Sequence, residues 1–214
     1  MAAQLETLDL AGRLADEAEK LRGDELLRMV ATEGPPELAE EAESRLTDDP
    51  ATARTRLLVC WRGDHRNYLS RAILQPYAEV LRARNIAPDR VHTRGHCPFC
   101  GGAAWIAALR APSDAEAGLR LLGCSLCALE WNVNRIFCPS CFEEDPPKLP
   151  VFQSDAHPHV RIEACESCRR YVKSIDLTKD ARPIPAVDDL VSIAMDLWAV
   201  DEGYTRIEPG LAGL

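Results

Sequence analysis

No stretch of this sequence holds the roughly 18–20 consecutive apolar residues that a helix needs to cross a bilayer, so no membrane partner is expected. The opening residues, Met1 to Leu10, carry two acids and no basic cluster, which argues against a secretory signal. The pair Arg169–Arg170 sits deep in the chain directly after Cys168 and is not placed as a twin-arginine export signal. The expected compartment is the cytoplasm. Basic charge is also short: 25 Lys and Arg stand against 34 Asp and Glu, a net charge of −9 with a pI near 5.1. Binding to nucleic-acid phosphates draws on clustered Lys and Arg that displace counterions. The acidic balance counts against such a partner, leaving a local basic face of Arg161, Arg169, Arg170 and Lys173 as the place where one would act. A nucleophile elbow, a phosphate loop and a paired-carboxylate pattern are all missing, so no catalytic residues are assigned and the chain is not expected to be an enzyme.

What is present is an ordinary globular balance, 46% hydrophobic and 28% charged, in 214 residues, enough for two modules. Within it lie nine cysteines, eight of which form four C-x-x-C pairs: Cys97/Cys100, Cys124/Cys127, Cys138/Cys141 and Cys165/Cys168. Random placement would give ~0.3 such pairs, so the four are a signal. The pattern C-x2-C-x23-C-x2-C occurs twice, the second copy displaced by 41 positions, which is the mark of a repeated unit.

The spacing has a chemical reason. A C-x-x-C turn puts two thiolates on one side of a tight knuckle, and a tetrahedral metal needs two knuckles facing each other. Matched arms favour sequential sites: Cys97, Cys100, Cys124 and Cys127 for one ion, Cys138, Cys141, Cys165 and Cys168 for another. A cross-braced pairing of first with third and second with fourth knuckles remains open, as does nesting of the middle pairs, which only ten residues separate. Four thiolates suit zinc and a rubredoxin-type iron equally. Disulfides fit poorly with a cytoplasmic chain, and a thioredoxin-like redox role needs only one such pair. Only Cys100 is followed by glycine; Ala128, Phe142 and Arg169 hold the matching positions, so three knuckles must turn with a side chain in place.

Each 23-residue arm reads as a hairpin. Ala104–Arg110 and Gly118–Gly123 flank a turn at Ala111–Asp114; Pro150–Ser154 and Val160–Ala164 flank one at Asp155–Pro158. Leu129–Ile136 and Tyr171–Leu177 complete the two small sheets. A unit of about 40 residues buries too little apolar surface to stand alone, so each ribbon is expected to melt without its metal.

Ahead of the first knuckle the periodicity is helical. Leu10, Leu14, Ala18 and Leu21, then Leu26, Leu27 and Val30, keep helical spacing up to Gly34-Pro35-Pro36. An acidic segment Glu37–Leu46 leads to Thr47–Pro50, followed by helices over Thr52–Trp61 and Asn67–Arg84, the latter with Leu69, Ile73, Tyr77, Val80 and Leu81 on one face. A further run, Val187–Val200, puts Val187, Leu190, Val191, Ala194, Leu197 and Trp198 in a stripe expected to pack inward. Cys60, among Leu57, Leu58, Val59 and Trp61, reads as a buried inert thiol. His65, His92, His157 and His159 fall in expected loops, and His96, beside Cys97, is a spare donor where each site already has four cysteines. The fold expected is α+β: a helical domain over 1–92, rubredoxin-like (zinc-ribbon-like) modules over 93–136 and 137–182, and a helix and tail over 183–214.

The strings Cys97-Pro98-Phe99-Cys100-Gly101, Cys124-Ser125-Leu126-Cys127-Ala128-Leu129-Glu130-Trp131 and Ala186-Val187-Asp188-Asp189-Leu190 resemble the FdhE family of formate dehydrogenase accessory proteins. The likeness extends through Tyr171-Val172-Lys173 and Glu202-Gly203-Tyr204, and back to Leu74-Gln75-Pro76-Tyr77. The first fifty residues depart from the family's longer helical region. The resemblance implies a cytoplasmic, non-enzymatic maturation factor. It implies contact with the catalytic subunit of a molybdenum- or tungsten-dependent formate dehydrogenase, with iron rather than zinc on the eight paired cysteines. Two further functions fit the ribbons as such: a rubredoxin-like electron carrier and a zinc-ribbon nucleic-acid binder. Oligomeric state is not legible here.

Overall fold

Asp49 and Asn67 set the starts of two helices in the N-terminal part of the chain. Asp49 Oδ1 accepts from the N–H groups of Ala51 at 2.8 Å and Thr52 at 3.1 Å, satisfying donors that the first turn leaves open just after Pro50. Asn67 does the same for Ser70 N–H at 2.9 Å. The computed structural model describes residues 23–61, 67–86, 93–111, 118–210 and 213, in two compact units, Met1–Val91 and His92–Leu214. The first unit holds helices α1 (Asp24–Glu33), α2 (Pro36–Leu46), α3 (Pro50–Trp61) and α4 (Tyr68–Ala83). Leu27, Ala42 and Leu69 form a small core there, and buried Arg45 ties α2 to α4 through Asn67 at 2.5 Å and Ser70 at 3.0 Å. The stripe expected on α4 is buried at Leu69, Tyr77 and Leu81, but Val80 is exposed. Leu10, Leu14, Ala18, Leu21, His65 and His92 lie outside the described residues, as does most of the expected turn at Ala111–Asp114.

The second unit is built on strands β1 (Ala104–Arg110), β2 (Leu119–Cys124), β3 (Glu130–Val133), β4 (Val151–Ser154), β5 (His157–Cys165), β6 (Arg170–Asp176) and β7 (Thr205–Arg206), with a 3-10 turn at Pro146–Lys148. β1 to β3 form one antiparallel ribbon and β4 to β6 the other. They share a single sheet, ordered β3-β2-β1-β6-β5-β4, because β1 pairs with β6 in parallel from Ile106↔Lys173 to Leu109↔Asp176. Both strands are buried along most of their length, as strands covered on both faces are.

One face of this sheet carries Ile106, Ala108, Val160, Ile162, Ala164, Tyr171 and Ile175, and packs against Met195, Ala199 and Tyr204. Ala104, Ala107, Leu122 and Val172 form the core of the opposite face. The second hairpin turns more tightly than expected. β4 and β5 are paired as far as Ser154↔His157, so only Asp155 and Ala156 turn, and His157, Pro158 and His159 belong to the strand. Pro158 fits because the register shift between Gln153 and Ser154 frees its position from the ladder, where a missing N–H costs nothing.

The C-terminal run is two helices, α5 (Pro185–Val191) and α6 (Ile193–Asp201), interrupted at Ser192. The expected stripe faces the wrong way: Val187, Leu190, Val191, Leu197 and Trp198 are all exposed, and Ala194 with them, while Asp189, Ser192, Met195, Asp196 and Ala199 face inward. The break at Ser192 and the charged inward face have one cause. Lys173, wholly buried on β6, donates to the carbonyls of Asp189 at 2.9 Å and Ser192 at 3.4 Å and pairs with the Asp196 carboxylate. Its ammonium takes up carbonyls that the first helix leaves open at its end.

Candidate metal centres

All four knuckles share one backbone plan. The residue after the second cysteine has a positive φ in each: Gly101 at 73°, Ala128 at 54°, Phe142 at 66° and Arg169 at 54°. The first cysteine's N–H donates to the carbonyl five residues on in three of them, Cys97 to Gly102, Cys124 to Leu129 and Cys138 to Glu143, at 2.8–2.9 Å. In the fourth, Cys165 pairs with Arg170 in the β5–β6 ladder. A left-handed residue there closes the turn so that both sulfurs face the same side, a conformation that costs a side-chain-bearing residue about 1 kcal/mol or more.

The ribbons bring the knuckles together in sequential pairs. Cys97, Cys100, Cys124 and Cys127 form one group and Cys138, Cys141, Cys165 and Cys168 the other, the sulfurs in each lying within 4.8 Å of one another. The fold makes neither the cross-braced nor the nested arrangement. In the first group Cys97–Cys127 and Cys100–Cys124 are 3.5 and 3.3 Å apart; in the second Cys138–Cys168 and Cys141–Cys165 are 3.8 and 3.6 Å apart. An ion held at about 2.3 Å by four tetrahedral sulfurs would set them about 3.8 Å apart, so both groups can hold a metal ion.

The thiols cannot all ionise side by side without a cation between them. Cys97 and Cys127 are held below the ordinary thiol value, chiefly by hydrogen bonding with Cys100, while Cys124 is pushed far above it, chiefly by the same neighbour. In the second group burial pushes Cys138 and Cys168 up. A bound dication would turn each set into thiolates and release the protons.

The two groups differ in their shielding. Every cysteine of the first is buried, with Leu126 fully buried in its knuckle, and backbone N–H groups of Phe99, Leu126 and Cys127 point at Cys97 or Cys124 sulfur at 3.4 Å. In the second, Cys138 and Cys165 are buried, Cys168 is half-buried and Cys141 is exposed. Glu143, accepting from Ser167 Oγ at 2.6 Å, bridges its two knuckles.

Other residues singled out by the sequence lie elsewhere. Cys60 is buried in α3 and belongs to neither cysteine group. His96 Nδ1 is 2.6 Å from Thr93 Oγ1, and His159 Nε2 is 2.7 Å from Asp188 Oδ1. The expected basic face does not form. Lys173 is buried beneath α5 and α6, while Arg161, paired in register with Ser174, projects to the other side of the sheet. Arg169 stacks over the Tyr204 ring at 3.9 Å and donates to Glu166 at 2.6 Å. Sequence reasoning missed the buried cluster of Tyr171, Lys173, Asp189, Asp196 and Arg206. Its one signal was Lys173 sharing alternation with Tyr171 and Ile175, which marks an inward position.

Comparison with known proteins converges on the same stretch. Residues 96–135 match the family model described as FdhE, central domain, and residues 136–211 that described as FdhE, C-terminal domain. A protein FdhE homolog of Aquifex aeolicus is 32% identical over 120 residues, 56% of this chain and 42% of that protein. One of Pseudomonas aeruginosa is 37% identical over 123 residues, 56% of this chain and 40% of its own length. The matched stretch is thus less than half of either homologue. The crystal structure of the FdhE protein from Pseudomonas aeruginosa superposes with a TM-score of 0.66 at 28% identity, covering 88% of this chain and 68% of that one.

Proposed function

The chain belongs to the FdhE family, and on that footing we propose that it is a non-enzymatic maturation factor for a molybdenum- or tungsten-dependent formate dehydrogenase. It acts in the cytoplasm by binding the catalytic subunit of that enzyme. Cys97, Cys100, Cys124 and Cys127 hold one metal ion, and Cys138, Cys141, Cys165 and Cys168 a second. The observation that carries this reading is the pair of four-sulfur groups set in one sheet, over the residues that match the two FdhE domains. Their part is to fix two ribbons that apolar burial alone would not hold, giving a client a rigid surface. Among the described residues no helix is long and apolar enough to cross a membrane, which is compatible with that setting.

Loss of the gene should abolish formate dehydrogenase activity while leaving the molybdenum or tungsten cofactor in the cell intact. Activity that survives unchanged would sink the assignment. Elemental analysis of anaerobically purified protein should find two metal equivalents, iron being the expectation.

A second reading, rubredoxin-like electron transfer, draws support from the exposed Cys141, since electron exchange needs a metal close to the surface. Protein that holds only zinc, without the red absorption of ferric thiolate, would exclude it.

A further inference from the structure

On the sheet face away from α5 and α6 lies a cavity of about 150 Å³ that is unusually rich in arginine for so acidic a chain. Arg120 of β2, Arg161 of β5, Arg170 of β6 and Arg135, from the segment joining the two ribbons, line it together with Glu163. Two of the four cations are matched: Arg120 pairs with Glu163 at 2.7 Å and Arg161 with Asp176 at 2.5 Å. Arg135 donates only to the Gly118 carbonyl, at 2.8 and 3.1 Å, and neither it nor Arg170 has an ion pair among the described residues. Two positive charges therefore face the cavity without a carboxylate.

A second observation points the same way. Arg161 and Ser174 are direct cross-strand partners on this face, and both Arg161 Nε and Ser174 Oγ are buried without a hydrogen-bond partner among the described residues. Of the two, Arg161 lines the cavity; a buried donor left open is costly, and beside excess positive charge it calls for an acceptor that carries negative charge. Apolar side chains such as Phe137 and Ile207 complete the wall and lower the local dielectric, which strengthens the attraction. The volume is that of about five liquid waters and below the roughly 300 Å³ at which pockets for larger ligands begin.

We propose that this cavity is a binding site for a small oxyanion, a free phosphate-sized dianion or the carboxylate of an acidic side chain on a bound protein. Arg135 and Arg170 supply the unmatched charge, and Arg161 a further donor. This goes beyond the maturation role and stands whether or not that role holds.

The test is calorimetric titration of the full-length protein with inorganic phosphate at constant ionic strength. A one-site saturable isotherm is expected, weakened about tenfold or more in Arg135→Gln and in Arg170→Gln, since each removes a charged donor. Arg182→Gln, which alters an exposed arginine already paired with Asp180, should bind as the parent does. Both test positions are exposed, so the folded state should survive, as circular dichroism can verify. A parallel titration with blocked glutamate, N-acetyl-glutamate methylamide, separates the two sources. Phosphate binding alone assigns a free anion, while glutamate binding that is lost in the same variants assigns an acidic side chain. Absence of saturable binding by either probe overturns the proposal, as does binding unchanged in both variants. Because Cys138 and Cys165 also border the cavity, the arginines could instead offset thiolate charge. Faster metal loss to a chelator in Arg170→Gln, with no binding of either anion to the parent protein, would establish that role and overturn this one.

Discussion

Arg206 Nη2 lies 2.6 Å from Asp189 Oδ1, and Lys173 Nζ approaches the same oxygen at 3.3 Å. Asp196 closes the ring, accepting from Tyr171 at 2.8 Å and Arg206 at 3.2 Å and pairing with Lys173. Arg206 also donates to the Trp105 carbonyl at 3.0 Å. Two cations and two carboxylates, all but removed from solvent, therefore pin α5, α6 and β7 to the junction where the two ribbons meet. Charge balance makes such a cluster tolerable; removing one member leaves an uncompensated buried charge.

Lys173→Met is accordingly expected to lower the unfolding free energy by about 3–5 kcal/mol, read by denaturant unfolding of metal-loaded protein. A loss under about 1 kcal/mol would mean that water reaches the cluster and screens it.

Alkaline pH should probe the same cluster. Burial, and then the neighbouring Asp196 carboxylate, push the Tyr171 hydroxyl above its ordinary value near 10. The unfolded chain therefore releases this proton first as pH rises. The contribution is complete below about pH 10 and declines above it, so Tyr171→Phe should flatten the fall of stability as pH rises beyond about 10. At neutral pH the variant should lose about 1 kcal/mol for the missing hydrogen bond. Parallel pH profiles for parent and variant would contradict this.

Ala128 is exposed and holds φ at 54°. Ala128→Gly removes the clash of a side chain in the left-handed region without emptying any core space. It should raise stability by about 0.5–1 kcal/mol after the extra freedom of glycine in the unfolded chain is counted. Gly101→Ala, at φ 73°, should cost about 1 kcal/mol or more. Thermal melts of both variants check the pair of signs.

Metal release to a chelator should be biphasic. The second sulfur group, with Cys141 exposed, gives up its ion first, and the first group, buried throughout, later. Cys141→Ser should remove the fast phase and about one metal equivalent while leaving the slow phase. A single phase, or loss of both ions from that variant, would show that the two centres are not independent.

Much of the site was legible because cysteine chemistry is local and repeats. Four C-x-x-C pairs with equal 23-residue arms predict two four-sulfur groups, and matched arms predict sequential pairing, which is the grouping the fold makes. Helix α4 was legible from Asn67 to Arg84 because a capping side chain and an apolar stripe are short-range features. Short apolar stretches flanking turn residues placed most of the strands, β1 to the residue.

The C-terminal stripe shows where that reasoning stops. Val187, Leu190, Val191, Leu197 and Trp198 repeat at helical spacing, and periodicity assigns the apolar side to the core. It cannot register that Lys173 and Arg206, on strands β6 and β7, place two cations beneath the helices and so turn Asp189 and Asp196 inward. The shared sheet was hidden for a related reason: parallel pairing of β1 with β6 joins residues more than sixty positions apart, and nothing local encodes it. The arginine-lined cavity, too, exists only once β2, β5, β6 and the joining segment converge. By itself, then, the sequence settled most of the elements and the grouping of the eight paired cysteines, because spacing and side-chain type act over a few residues. Tertiary structure alone decided which face of each element is inside, how the ribbons join and where buried charges meet, because those follow from partners distant in the chain.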